Sequence, residues 1–217
     1  MSKIMLLPYL DQLDPERQKI FHQLKGLRNN FVLAGGTAIM LQIGHRLSYD
    51  FDLFTDEKIT DEILEKVKSS LGRKITIDIV DPAVVFIKTP QNIDIHLVQH
   101  PFRALKKPII TSSISLFHLD DLVSNKAYTL GRRPAWRDYV DLFFLLKWKY
   151  YKLESIVALA NKKFKNEFND KLFLEQLVYF EDVKVVETTF LKERYSFLQI
   201  KSFLEKEVKK YLKTVLG

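Results

Sequence analysis

With 217 residues, 47% of them hydrophobic and 28% charged, the chain can hold one large domain or two small ones and bury a core. It has no cysteine, which excludes disulfides, thiol catalysis and cysteine-ligated zinc, and no apolar run near the roughly 20 residues that span a bilayer. A formal net charge of +7 favours polyanions such as RNA, DNA or nucleotides, although a lysine-rich solubilising surface has the same composition.

The opening MSKIMLLPYLDQLD meets charge before a signal-peptide core can form, so a cytoplasmic location is expected. Pro15 to Leu27 reads as a helix with Asp14 as N-cap and Pro15 at its first position. FVLAGG follows as a short buried strand ending in a glycine turn, and helical spacing runs from Thr37 to Ile43. YDFDLFT alternates as a strand, and Thr60 caps a helix to Leu71. KITIDIV, AVVFIKT and NIDIHLV are three strands separated by turns at Asp81-Pro82 and Pro90 to Asn92, which predicts an antiparallel meander. Helices are expected near 118–130, 135–149, 153–165, 170–180 and 190–213. The composition changes near residue 110, which suggests an α/β part over 1–112 and a helical part over 113–217.

The carboxylates are the first chemical signal. In YDFDLF, Asp50 and Asp52 share one face and Tyr49, Phe51 and Leu53 the other. Adjacent carboxylates repel, and a charge near a core needs compensation. A divalent cation supplies it, and Mg²⁺ takes hard oxygen ligands. Asp94 interrupts the strand NIDIHLV in the same way. If that strand lies beside YDFDLF, three carboxylates converge, an arrangement suited to two metals and in-line nucleotidyl transfer. Asp78 in ITIDIV has the same look and is assigned to solvent.

Gly35 and Gly36 lie between strand and helix, where glycine admits positive φ and close approach of a ligand. The helix N-terminus beginning at Thr37 is a place for phosphate. Neither a Walker A loop nor a GxGxxG fingerprint is present.

In LFHLDDLVSNKAYTLG, the residues Leu119, Leu122, Val123 and Leu130 form a stripe with Lys126 in its middle. In AWRDYVDLFFLLK, Asp138 and Asp141 flank Leu142 and Leu145. Two readings stand together here. One is a structural Lys126–Asp138 pair between helices. The other is a lysine on the triphosphate and an aspartate beside the acceptor hydroxyl.

Arg46 is a candidate phosphate contact and His45 a packing residue. His96 and His100 are not expected to form a helical metal pair. Basic clusters occur at Lys106-Lys107, Arg132-Arg133, KWKYYK and KKFK, with Trp136, Trp148, Tyr150 and Tyr151 interleaved. Arg132 and Arg133 are the favoured RNA contacts.

These segments, GGTAIMLQIGHRLSYDFDLF, NIDIHLVQHPF, LDDLVSNKAYTLGRR, RDYVDLFFLL and YFEDVK, resemble the AbiEii/AbiGii toxin family of nucleotidyltransferases within the DNA polymerase beta-like superfamily. The resemblance implies an α+β fold: a polymerase beta-like core of mixed sheet with flanking helices, then a helical C-terminal part. It implies Asp50 and Asp52 as metal ligands and Asp94 as the third carboxylate, with Mg²⁺ or Mn²⁺ as cofactor. It places Gly35, Gly36 and Thr37 at the nucleotide phosphates, Lys126 as the active-site lysine, and Asp138 with Asp141 as a DxxD motif. The expected partners are an NTP, a tRNA or other RNA acceptor, and an antitoxin encoded nearby, in a toxin–antitoxin or phage-defence setting. Transfer to a protein or small-molecule hydroxyl, or a non-catalytic binding role, are the alternatives.

Overall fold

A computed structural model describes residues 4–216, which divide into two compact units that part between His118 and Leu119. The first unit is built on a five-stranded mixed sheet. Its strands are β1 (Val32–Ala34), β2 (Phe51–Thr55), β3 (Thr76–Asp81), β4 (Val84–Lys88) and β5 (Asp94–Gln99). Their order is β1-β2-β5-β4-β3, with β2 and β5 parallel and every other pair antiparallel. The meander β3-β4-β5 is present as the turn signals predict.

Three helices flank this sheet. Helix α1 (Pro15–Gln23) starts where Asp14 accepts from the Arg17 amide, then tightens into a 3-10 turn over Leu24–Leu27. Helix α2 (Gly35–Ile43) begins two residues earlier than its apolar spacing suggests, because both glycines lie in its first turn. Helix α3 (Asp61–Leu71) is capped by Thr60 and buries Ile63, Leu64, Val67 and Leu71 on one stripe. The core joins Ala38 to Leu41 of α2 with Phe51 and Leu53 of β2, Val85 and Ile87 of β4, and Ile95 and Leu97 of β5. Leu116 bridges to Leu33 and Ile109. That segment continues the first unit to His118, beyond the composition change near 110 and the boundary at 112 drawn from it.

The second unit is helical: α4 (Leu119–Leu130), α5 (Trp136–Lys147), α6 (Leu153–Phe164), α7 (Asp170–Val178) and α8 (Phe197–Leu216). Helix α4 packs against α5, α6 and α7, while α8 packs against α5, α6 and α7. Ile200, Leu204 and Val208, at four-residue spacing, are the buried stripe of α8. This helix starts at Phe197 rather than near 190. The Ser196 amide donates to Gln199 Oε1 at 2.8 Å, and the Gln199 amide donates back to Ser196 Oγ at 3.3 Å, a capping box that sets the start. No described helix is long and apolar enough to cross a membrane.

The second unit also buries charge. Lys163 of α6 donates to Asp121 of α4 at 2.8 Å, and both side chains are fully buried. Burial pushes the Lys163 ammonium below its ordinary pKa, against the opposing pull of the Asp121 hydrogen bond and charge. Removing one partner of such a pair strands the other charge in the interior, which typically costs about 3–5 kcal/mol. Lys163→Ala is therefore expected to lower unfolding free energy by about that amount in urea denaturation. Lys66→Ala, which breaks only the exposed pair with Glu62, should change it by less than about 1 kcal/mol.

Candidate active site

The site in the first unit begins with the turn from β1 into α2. Gly35 has φ of +65°, a left-handed conformation that L side chains rarely adopt. A Cβ placed there would lie 1.8 Å from Asp52 Oδ2. The absence of a side chain at residue 35 is thus what lets the β2 carboxylate close onto the start of α2. Pairing of Ala34 with Asp52 across β1 and β2 sets this approach. Ala34 is the N-cap of α2 and has no polar side chain to cap it. The helix N-terminus therefore depends on other groups for its first amides, and it favours negative charge.

The second glycine supports the turn from behind. A Cβ on Gly36 would lie 2.6 Å from Arg46 Nη2 and 2.9 Å from Ser48 Oγ. Arg46 is 2% exposed and donates to the Leu47 carbonyl at 2.9 Å. It is a buried guanidinium beneath the glycine turn. Thr37 is buried and its hydroxyl donates to the Asp50 backbone carbonyl, which ties α2 to the start of β2. With the hydroxyl so engaged, a phosphate contact from Thr37 would come from its amide. Ser48 Oγ donates to Asp50 Oδ1 at 3.2 Å.

Asp52, His96 and Asp94 lie on neighbouring parallel strands. Asp52 pairs with His96 in register, and His96 Nδ1 lies 2.9 Å from Asp52 Oδ1. Phe51 pairs with Ile95, so one further step in that register sets Asp50 opposite Asp94. The hydrogen bond that His96 donates to Asp52 raises the His96 pKa against the opposing effect of burial, and the charges of Asp52, Asp50 and Asp94 raise it further. One imidazole thus feels all three carboxylates that the alternation of the two strands singles out. His96 was not foreseen in this role. Its signal was available: it stands two residues after Asp94, on the same strand face.

Asp94 pairs with Lys88 of β4 at 2.9 Å. Among the described residues, no group of three or more His, Asp or Glu side chains is gathered into a ready metal cage. The donor set nonetheless suits Mg²⁺ or Mn²⁺ bound through one or two carboxylates with substrate phosphates completing the shell. Asp50 and Asp52 offer hard oxygens beside a helix N-terminus, where a triphosphate also fits. Asp78, the look-alike, is exposed on the edge strand β3.

In the second unit, Lys126 of α4 bridges two carboxylates of α5, Asp138 Oδ1 at 2.5 Å and Asp141 Oδ2 at 2.7 Å. Both aspartates are buried, and Asp138 Oδ2 has no hydrogen-bond partner among the described residues. The structural pair read from the sequence is present, with Asp141 added. Arg132 lies over the Tyr128 ring at 3.5 Å, Tyr128 stacks on Phe164 at 4.0 Å, and Arg132 donates to the Glu167 carbonyl at 2.8 Å. Arg133 is exposed. Of the interleaved aromatics, Trp136 is buried, and Tyr151, half-buried, donates to Asp120 at 2.6 Å.

Residues 20–213 match the family described as nucleotidyl transferase AbiEii toxin, type IV toxin–antitoxin system. The chain belongs to the AbiEii family. It is a toxin nucleotidyltransferase, and the family's system implies an NTP substrate and an antitoxin partner. The AbiEii chain is 28% identical over 191 residues to the uncharacterized protein aq_aa25 of Aquifex aeolicus (strain VF5), covering 86% of this chain and 90% of that one. Its fold is similar to MenT4, a nucleotidyltransferase toxin of Mycobacterium tuberculosis, with a TM-score of 0.64 and 12% identity over 92% of this chain and 82% of that one. JHP933 of Helicobacter pylori is also similar, with a TM-score of 0.57 and 21% identity over 92% and 94% of the two chains.

The Gly35–Asp52 approach is open to a direct test in this AbiEii protein. Gly35→Ala adds a methyl where Asp52 Oδ2 lies and strains a positive φ, so the carboxylate must move. A displacement on the order of 1 Å at a reacting centre costs roughly 10²-fold in rate. The variant is expected to lose transfer by about that factor, with near-wild-type circular dichroism. Unchanged transfer would show that Asp52 does not need this position.

Proposed function

We propose that the protein transfers a nucleoside monophosphate from an NTP to a hydroxyl of tRNA or another RNA, using Asp50 and Asp52 with a divalent cation. The observation that carries this reading is the Asp52 carboxylate seated against the uncapped start of α2 at Gly35. Carboxylates and helix amides meet there, the pairing that a cation-bound triphosphate requires.

In the proposed reaction, the acceptor oxygen bonds to the α-phosphorus of the NTP, the bond from that phosphorus to the β-bridging oxygen breaks, and pyrophosphate leaves. Asp50 and Asp52 would hold Mg²⁺ or Mn²⁺, which when bound supplies positive charge against the triphosphate. The amides at Gly35, Gly36 and Thr37 would bind phosphate oxygens. Arg46 and Ser48 position this turn and Asp50 from beneath. Asp94 is proposed as the carboxylate nearest the acceptor, receiving its proton in exchange for the Lys88 pair. Following the family resemblance, Lys126 is proposed as the lysine for the leaving pyrophosphate and Asp138 as the aspartate for the acceptor hydroxyl. Positioning and electrostatics supply most of the rate in such a transfer.

RNA is favoured over a protein acceptor by the net charge of +7. A cytoplasmic setting, in a toxin–antitoxin or phage-defence system, is part of the same proposal. The test is transfer of α-labelled NTPs, one at a time, to total tRNA in the presence of Mg²⁺. Label should appear on RNA from wild type and disappear in Asp50→Asn, which should keep the wild-type unfolding midpoint. Wild-type activity in Asp50→Asn would remove this carboxylate from the mechanism. Label on the protein itself would favour a protein acceptor.

A further inference from the structure

A cavity of about 730 Å³ in the first unit lies away from Asp50, Asp52 and Asp94. It opens beyond the C-terminal ends of β2 and β5, where Thr55 and His100 line it. Asp50 precedes the other end of β2. Five residues of strand at about 3.3 Å each put the two ends roughly 16 Å apart.

The lining combines two chemistries. Arg28, Arg103, Lys106 and Lys107 bring four cations against the single carboxylate of Asp56. Aromatic rings form the apolar wall: His100 lies 4.8 Å from Phe54 and 5.2 Å from Phe102, and Phe54 lies 6.1 Å from Phe117. Arg28, Arg103 and Lys107 are exposed, and Phe102 is partly so. The volume lies within the range of about 300–1,000 Å³ typical of sites that take a small molecule, so one unstacked nucleotide can enter. Rings that accept a base and cations that accept the flanking phosphates are the two components of single-strand recognition. An acidic peptide would use the cations and leave the rings without a planar partner.

We propose that this cavity binds a single-stranded segment of the RNA acceptor, holding one base against the rings with its phosphates on Arg103 and Lys107. The inference rests on the RNA-acceptor reading above. It moves the RNA contact from Arg132, which is engaged with Tyr128 and Glu167, to the Lys106-Lys107 segment.

The experiment is fluorescence anisotropy of a labelled single-stranded RNA 12-mer against the full chain, from low to moderate salt. It needs no turnover. The double variant Arg103→Ala/Lys107→Ala, at exposed positions, should bind at least 10-fold more weakly, and its log–log salt slope should fall by about 1.4 for two lost phosphate contacts. Phe102→Ala should weaken binding by about 10-fold through lost stacking, with the salt slope unchanged. Asp50→Asn should bind as wild type. Wild-type affinity and slope in the double variant, loss of RNA binding in Asp50→Asn, or displacement of RNA by an equal concentration of free NTP would each overturn the proposal. Label transfer that fails on every RNA, with cavity-dependent binding intact, would count against the transfer reading alone.

Discussion

The site depends on a close approach that a single side-chain atom would prevent. Asp52 Oδ2 occupies the place where any residue but glycine would carry a Cβ at position 35. The same residue adopts the positive φ that turns β1 directly into α2. Carboxylate and helix N-terminus are therefore brought together by one local backbone choice. The helix dipole favours the negative charge placed there. Arg46 and Ser48 hold the turn through Gly36, and Thr37 ties it to Asp50, so the glycines, the buried arginine and the two aspartates work as one unit.

Strand β2 carries opposite chemistry at its two ends. Asp50 and Asp52 stand at its start, beside His96 and, by register, Asp94. Its far end meets the cationic, ring-lined cavity at Thr55 and His100. Parallel pairing of β2 with β5 produces this polarity, because both strands deliver their first residues to the acidic end and their last to the basic one.

In the helical unit, α4 is the common partner. Asp121 pairs with α6 through Lys163, and Lys126 pairs with α5 through Asp138 and Asp141. Buried ion pairs seldom exceed a well-packed apolar replacement in stability. Their contribution here is orientation: each fixes which face of its neighbour α4 meets. Lys126 is held by two buried carboxylates, which fix its position between α4 and α5.

The local features were legible in the sequence because they follow from short-range physics. Alternation announced β2 and β5, glycines marked the turn, Asp14 and Thr60 marked helix starts, and the misplaced charges Lys126, Asp138 and Asp141 announced a buried cluster. The family resemblance rested on the same segments. The capping box at Ser196 and Gln199 was equally local, and helical spacing that ran on through residues 190–196 obscured it. What tertiary structure alone decided was pairing across distance. That β2 lies parallel beside β5, that His96 therefore bonds Asp52, that Arg46 packs under Gly36, and that Asp121 meets Lys163 all depend on strand order and helix packing. Residues 42 to 44 apart in the chain leave no periodic trace of their contact, since nothing in one segment's spacing encodes which segment will cover it.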